Sequence, residues 1–328
     1  MKKSRKRILI AAPVFLLLVL LTLLSIAWWN SVPAPRFYGR ASIESFGSSG
    51  TDAGQFNEPT GIALLADWVF VADARNARIQ VYSPAGDFRR TFGEDFLDRP
   101  MNMSFRGRQL YVADYFRDTI EVFDFDGRHL DSITATGGDG QNGGLNSPSG
   151  VDVFDDGSLL VADTYNHRVV RLSPEGDVVQ SWGTHGKPGR GHDEFRYPSD
   201  VAITPDGGFF VADAYGHRIK RFDRDGQLTN AWGGAFGLGL PGPFNGWFNV
   251  VSSIDLATDG ESILAVDFFN QRIQRFGLDG ELLAIYPVAE PEAKRSIMGI
   301  ASDSPDTVWV TNLSGSRIEH WRLETGAR

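Results

Sequence analysis

Carboxylates matched to guanidinium groups recur along this chain at one spacing. An Arg follows an Asp by five residues in Asp73/Arg78, Asp163/Arg168, Asp213/Arg218 and Asp267/Arg272. Such a couple can hold an anion or steer a proton, but the repeated spacing reads as ion pairs or loop-bracing hydrogen bonds. His167 and His217 share the slot directly before the Arg. Imidazole there could ligate a metal or exchange a proton near neutral pH, yet the common slot marks a repeat position, expected on an outer surface loop. Asp124/Asp126 and Asp223/Asp225 resemble fragments of calcium loops, but the rest of such a loop is missing and hairpin turns explain them better. The chain has no Cys, so neither a disulfide nor a Cys-ligated zinc can form. It also lacks a Gly-x-Ser-x-Gly elbow and a dinucleotide fingerprint.

These residues belong to six copies of one pattern: VADARNARIQVYSPAG (71–86), VADYFRDTIEVFDFDG (112–127), VADTYNHRVVRLSPEG (161–176), VADAYGHRIKRFDRDG (211–226), AVDFFNQRIQRFGLDG (265–280) and, weaker, VTNLSGSRIEHWRLETG (310–326). The second copy has Thr119 in the Arg slot; the sixth has Asn312 for Asp, keeps Arg317, and places Gly326 one residue late. Neighbouring Asp positions lie 41, 49, 50, 54 and 45 residues apart, the period of propeller blades. Each copy reads as strands. The run Trp68-Val-Phe-Val-Ala is apolar, Ile79-Gln-Val-Tyr alternates, and the Gly-containing element after it supplies a hairpin turn. A third strand follows, as in Val178-Val-Gln-Ser-Trp-Gly, and a fourth precedes each Asp, opened by Pro59, Pro100, Pro148 or Pro198. Four strands in each of six units predict an all-β, six-bladed propeller over residues 41–328. The sixth copy lacks its outermost strand, and Ala41-Ser-Ile-Glu-Ser-Phe-Gly has that strand's sequence. Pairing it with Arg317–Trp321 would close the ring, Velcro-fashion, and remove an exposed edge.

In this architecture, loops joining second to third strands share a face with those leading into the next innermost strand. One channel mouth should therefore be ringed by Arg75, Phe116, Tyr165, Tyr215, Phe269 and Ser314, two residues past each Asp or its equivalent. Thr60, Met101, Ser149, Ser199, Ser252 and Met298, past each Pro or its equivalent, should join them, with Asn102 and Asp200 one further on. An aromatic mouth with scattered hydroxyls suits a protein, peptide or glycan; alternatively the aromatics merely cover the blade tops. Asn102, Asp152, Asp200 and Asp255 come from four successive blades. If they converge, they offer the carboxylate and amide oxygens that a calcium-dependent hydrolase or lactonase needs.

The pattern, with its fourth strands ending in Phe/Trp-Gly and loops such as Gly50-Thr-Asp-Ala-Gly-Gln-Phe-Asn-Glu-Pro, resembles the NHL repeat over roughly residues 41–326. The resemblance implies the propeller fold and says little of function. Amidating lyases that share this propeller place zinc-binding histidines after the opening Pro, and catalytic Arg and Tyr one and two residues past the Asp. Here the post-Pro slots hold no His, and the Arg slot holds Ala74, Tyr115, Thr164, Ala214, Phe268 and Leu313; only Tyr165 and Tyr215 match. Ubiquitin ligases attach such propellers to a zinc-binding RING, which a Cys-free chain cannot build.

Lys2, Lys3, Arg5, Lys6 and Arg7 form a basic tail (1–7) before an uncharged, Leu-rich stretch of 22 residues, Ile8 to Trp29. At about 1.5 Å per residue this stretch spans the roughly 30 Å hydrocarbon core. The flanking charge predicts a cytoplasmic N-terminus and a propeller on the far side, periplasmic or extracellular. Cleavage as a signal peptide after Ala27 is the competing expectation. Residues 30–40, with Val32-Pro-Ala-Pro-Arg, read as a short stiff linker. Six of the 32 basic residues lie at or before Arg36, so 26 face all 41 acidic ones beyond it. That formal charge of −15 argues against the nucleic-acid binding known in some relatives. The expectation is a single-pass, membrane-tethered propeller that binds a partner without a cofactor, with the calcium-dependent hydrolase as its rival.

Overall fold

The computed structural model describes residues 16–26, 32–33, 37–136, 143–288 and 297–324. Six antiparallel sheets follow one another along the chain, each of four strands, with a further strand added to blade 5. Their innermost strands are Pro59–Leu65, Pro100–Arg106, Gly150–Val153, Pro198–Ile203, Val251–Leu256 and Ile297–Ser304. Each packs against its successor, and the sixth returns to the first, so the ring is closed.

The apolar second strands follow from burial on both faces. In Trp68–Asp73, Val69 and Val71 face blade 6, while Phe70 and Ala72 face blade 2. Six apolar clusters, one at each blade boundary, make up the core. Each buried Phe or Val contributes roughly 1.5–3 kcal/mol relative to exposure. The blades therefore hold one another rather than folding alone.

Closure occurs as the sequence suggested. Arg40–Phe46 pairs antiparallel with Arg317–Glu324, placing Ile43 opposite Trp321 and Phe46 opposite Ile318. Phe46 then packs on Tyr82 of blade 1, ring centres 4.8 Å apart. The hairpin glycines sit where expected. Gly226 has φ +77°, and an added Cβ would lie 2.6 Å from the Gln180 amide.

The Asp/Arg couples are braces. Buried Asp73 accepts hydrogen bonds from Arg78 Nε, Asn76 Nδ2, Gln80 Nε2 and the Asn57 amide. Arg78 passes its remaining donors to the carbonyls of Asp52 and Gln55, pinning the incoming loop. Blade 6 achieves the same balance with the charge moved: Glu319 accepts from Asn312 Nδ2, Arg317 Nε and Trp321 Nε1. In blade 2 Asp114 accepts only backbone amides, and Thr119 bonds Glu121 instead.

The N-terminal expectations need correction in one place. Of the anticipated linker, Phe37–Tyr38 forms a parallel strand beside Ala284 and Ile285 of blade 5, and the Gly39 amide donates to the Ile285 carbonyl. Residues 37–40 are thus sheet, not tether. The basic tail, residues 8–15 and 27–31 of the apolar stretch and its exit, and Gly326 lie outside the described residues. Residues 16–26 form a helix whose leucines are exposed. Among the described residues, no helix is long and apolar enough to cross a membrane.

Candidate binding mouth and channel

The loops after the second strands and those before the innermost strands meet around a cavity of about 520 Å³ at one end of the channel. All six post-Pro residues and their equivalents line it: Thr60, Met101, Ser149, Ser199, Ser252 and Met298. Their hydroxyls are committed as donors. Thr60 Oγ1 donates to the Pro100 carbonyl (2.8 Å), Ser149 Oγ to Ser199 (2.8 Å), Ser199 Oγ to Val251 (2.7 Å) and Ser252 Oγ to Met298 (2.8 Å). Each links one blade to the next, so what they present to a ligand is an oxygen lone pair.

Above this ring stands an aromatic arc. Tyr115 and Tyr165 lie 5.9 Å apart, Tyr165 and Tyr197 5.2 Å, Tyr197 and Tyr215 5.5 Å, each pair close to perpendicular. Phe268 and Phe269 continue it on blade 5. Edge-to-face contacts fix the rings before anything binds. Tyr165 and Tyr215 remain 47% exposed, so faces are left for a ligand. Burial, followed by the hydrogen bond to and charge of Tyr165, raises the Tyr115 phenol above its ordinary range, keeping it neutral. Among the described residues, no Asp or Glu lines the cavity, and Arg196 is the one charged residue in its lining.

Of the expected mouth residues, Ser149, Tyr165, Ser199, Tyr215, Phe269 and Asn102 meet here; Arg75, Phe116, Asp200 and Ser314 do not line the cavity. Arg75 is drawn aside by Glu58, 2.8 Å away, which also pairs with Arg99. Phe116 lies under the Arg99 guanidinium at 5.6 Å. Tyr197 and Arg196 were missed because they precede the opening Pro; Tyr115 and Phe268 lie one residue past the Asp, a slot weighed only for catalytic Arg. Tyr197 and Val250, the residues before two innermost strands, adopt φ +51° and +68°. For β-branched Val250 this conformation is strained, and it turns the chain into the channel.

Asn102 also lines a second cavity of about 250 Å³ deeper in the channel, with Asp152, Asp200 and Asp255. These four residues do converge, as their spacing allowed. The carboxylates, however, stitch blades together. Asp152 accepts from the Ile203 amide (2.8 Å) and Ser104 Oγ (2.7 Å), Asp200 from the Ile254 amide (3.0 Å) and Ser253 Oγ (2.7 Å), and Asp255 from the Ser302 amide (2.6 Å). Burial pushes Asp200 up to about 7. Burial, reinforced by the neighbouring charges of Asp200 and Asp152, pushes Asp255 up to about 8. Among the described residues, no group of three His, Cys, Asp or Glu is placed to hold a metal ion.

His167 and His217 are buried rather than on the surface. Their Nδ1 atoms accept hydrogen bonds from the Tyr197 (3.2 Å) and Val250 (3.1 Å) amides of the next loop. Burial lowers His217 to about 4, so its ring stays a neutral acceptor. Both histidines position the mouth from behind.

Residues 145–172 and 195–222 match the NHL repeat, so the chain carries NHL repeats within its six-bladed propeller. It is 28% identical over 147 residues to the protein brain tumor of Drosophila melanogaster, covering 42% of this chain and 14% of that protein. The chain thus spans about a seventh of that relative's length. Among solved structures, it superposes on a Bacteroides thetaiotaomicron protein of unknown function with a TM-score of 0.64 at 16% identity, covering 87% of this chain and 76% of that one. Virginiamycin B lyase from Staphylococcus aureus gives 0.60 at 14% identity, covering 86% and 99%. That lyase has also been solved as a catalytically inactive His-to-Ala variant with quinupristin. At these identities the structural likeness speaks for the fold alone.

Proposed function

We propose that this chain is a membrane-tethered, extracytoplasmic NHL propeller that binds a protein or peptide segment, or a glycan, at its aromatic mouth. The observation that carries the reading is the arc of tyrosines and phenylalanines over a cavity that, among the described residues, no Asp or Glu lines. It offers pre-ordered apolar faces, oxygen acceptors beneath them and the Arg196 guanidinium in the lining. Stacking and CH contacts suit side chains of a peptide or the faces of a sugar. The arrangement requires no cofactor, and the acidic chain, at −9 overall, is a poor match for nucleic acid. The uncharged stretch from Ile8 to Trp29 behind its basic tail supports the tether.

Tyr165→Ala combined with Tyr215→Ala tests the mouth. Each ring contributes on the order of 1–2 kcal/mol to a buried aromatic contact. Binders recovered from peptide and glycan arrays should therefore lose about tenfold or more in affinity, with the melting temperature unchanged. Array binding that is indifferent to both rings would send the search to another surface.

The lyase or hydrolase reading draws its support from the convergence of Asn102, Asp152, Asp200 and Asp255 on one cavity. Against it stand the absence of His from the mouth lining and the commitment of the three carboxylates to neighbouring amides. A stoichiometric divalent metal in the purified protein, lost in Asp152→Ala and Asp200→Ala, would favour the enzyme.

A further inference from the structure

The loop from Gly233 to Val250 joins blade 4 to blade 5, and its composition sets it apart. From Gly226 to Ile254 the sequence has no charged side chain. The equivalent loop between blades 3 and 4 carries His185, Lys187, Arg190, His192, Asp193 and Glu194. In the blade 4–5 loop, Phe236 is 68% exposed, Leu238 60% and Leu240 40%. This outward display is built, not a sign of slack chain. Arg272 holds the loop from beneath by donating to the carbonyls of Pro243, Phe244 and Trp247, and Asn270 Nδ2 donates to Gly242. Trp247 and Phe248 are buried under it. The anchored half leaves the other half presenting three large apolar side chains to solvent.

The N-terminal segment runs into this same loop. Gly246 lies so close to Pro33 that a Cβ there would meet the ring at 2.3 Å, and Asn245 Nδ2 donates to the Tyr38 hydroxyl at 2.7 Å. Pro33 and Phe236 also border one cavity, with Trp232 and Phe276. The exposed apolar helix ends at Ile26, seven peptide links before Pro33, a reach of no more than about 25 Å. Covalent geometry therefore keeps the end of the apolar helix within about 25 Å of Pro33, which abuts the apolar loop.

We infer that the Phe236–Leu238–Leu240 surface docks into the interfacial layer of the same lipid bilayer that receives the N-terminal apolar stretch, fixing how the propeller sits on the membrane. The inference rests on the tethered reading above and adds a second contact to it. An uncharged loop enters the headgroup region without desolvating an ion, and its apolar side chains gain by leaving water. Insertion of about 5–10 Å is the depth at which interfacial apolar groups settle. A single attachment leaves the orientation of the propeller open; a tether plus a loop held by Arg272 sets one orientation.

The Cys-free chain allows each position to be labelled singly. Full-length protein carrying Leu238→Cys, Leu240→Cys, Leu20→Cys or Val179→Cys is labelled with bimane. It is then reconstituted in phosphatidylcholine/phosphatidylglycerol vesicles with or without doxyl-labelled phosphatidylcholine. The labels at 20, 238 and 240 should lose fluorescence to the doxyl lipid. The label at 179, on the exposed outer strand of blade 3, should not. Quenching at 20 with none at 238 and 240 overturns the docking and leaves the tether standing. No quenching at 20 overturns the tether and the inference built on it. Emission at 238 that shifts to the blue without quenching identifies a protein, not lipid, against the loop and also overturns the inference.

Discussion

Asp200 should make this propeller lose stability between pH 5 and 7 in a way that Asp200→Asn abolishes. The side chain is buried, 5% exposed, and burial lifts its pKa to about 7 from the ordinary 3.8 of an aspartate. A carboxyl whose folded pKa exceeds its unfolded one is most stabilised, relative to the unfolded chain, when protonated. Its contribution is complete below the unfolded value and is lost as the pH rises through the folded one. Around pH 5 the native protein holds a proton that the unfolded chain has released, at about 1.4 kcal/mol per pH unit. The slope lessens as pH 7 approaches, so the loss from this group sums to about 2 kcal/mol. Asn keeps an acceptor for Ser253 Oγ or the Ile254 amide and cannot ionise. It should cost a constant offset of about 1 kcal/mol for the imperfect hydrogen bond and remove the share of the slope that Asp200 contributes. Because the charge of Asp200 helps to raise Asp255, its removal also relaxes that neighbour and flattens the profile further. Urea unfolding of residues 37–328, followed by tryptophan fluorescence at half-unit steps from pH 5 to 8, measures both. Wild-type and variant curves that run parallel would refute the assignment, whatever the offset between them.

Closure and topology are equally open to test. A chain beginning at Phe37 should fold cooperatively and stay in solution, whereas one beginning at Gly54 leaves the Arg317–Glu324 edge unpaired and should aggregate; equal stability of the two would remove the closing strand from the argument. A reporter fused after Arg328 should be active outside the cytoplasm, with the full-length protein in the membrane fraction; activity confined to the cytoplasm would reverse the topology, and a mature N-terminus at Trp28 would mean cleavage.

The blades were legible in the sequence because each repeats a period-two apolar run, a hairpin glycine and a brace, and these signals are local. The position of the mouth was legible too, since Tyr165, Tyr215 and the six post-Pro residues occupy fixed offsets from an Asp or a Pro. Offsets do not report competing partners. Nothing local to Arg75 shows that Glu58 takes it away, or that Phe116 finds the Arg99 guanidinium. His167 and His217 read as surface residues because their loop is polar, whereas their burial depends on a loop from the next blade. The strand Phe37–Tyr38 escaped notice because two residues are too few to carry a period, and its pairing partner lies in blade 5. Asp152, Asp200 and Asp255 line one cavity, a convergence their spacing left open, and which amides they face is a property of neighbouring blades.

Asn102 marks where the two uses of the channel divide. Among the described residues it alone borders both cavities, and its Nδ2 lies 3.5 Å from Ser253 Oγ on the fifth blade, across the ring from the second. Beneath it, the carboxylates are occupied by the next blade's backbone, and the polarity of the channel serves to hold the ring closed. Above it, the hydroxyls donate sideways to neighbouring strands, and the tyrosine faces are left open. A catalytic site in the lower cavity would have to strip a carboxylate from an amide whose desolvation it now relieves, at about 1–3 kcal/mol for each bond broken. A ligand at the upper mouth need break none of these bonds. The same repeat position can therefore serve the fold on one blade and recognition on another, according to whether its neighbour supplies the partner.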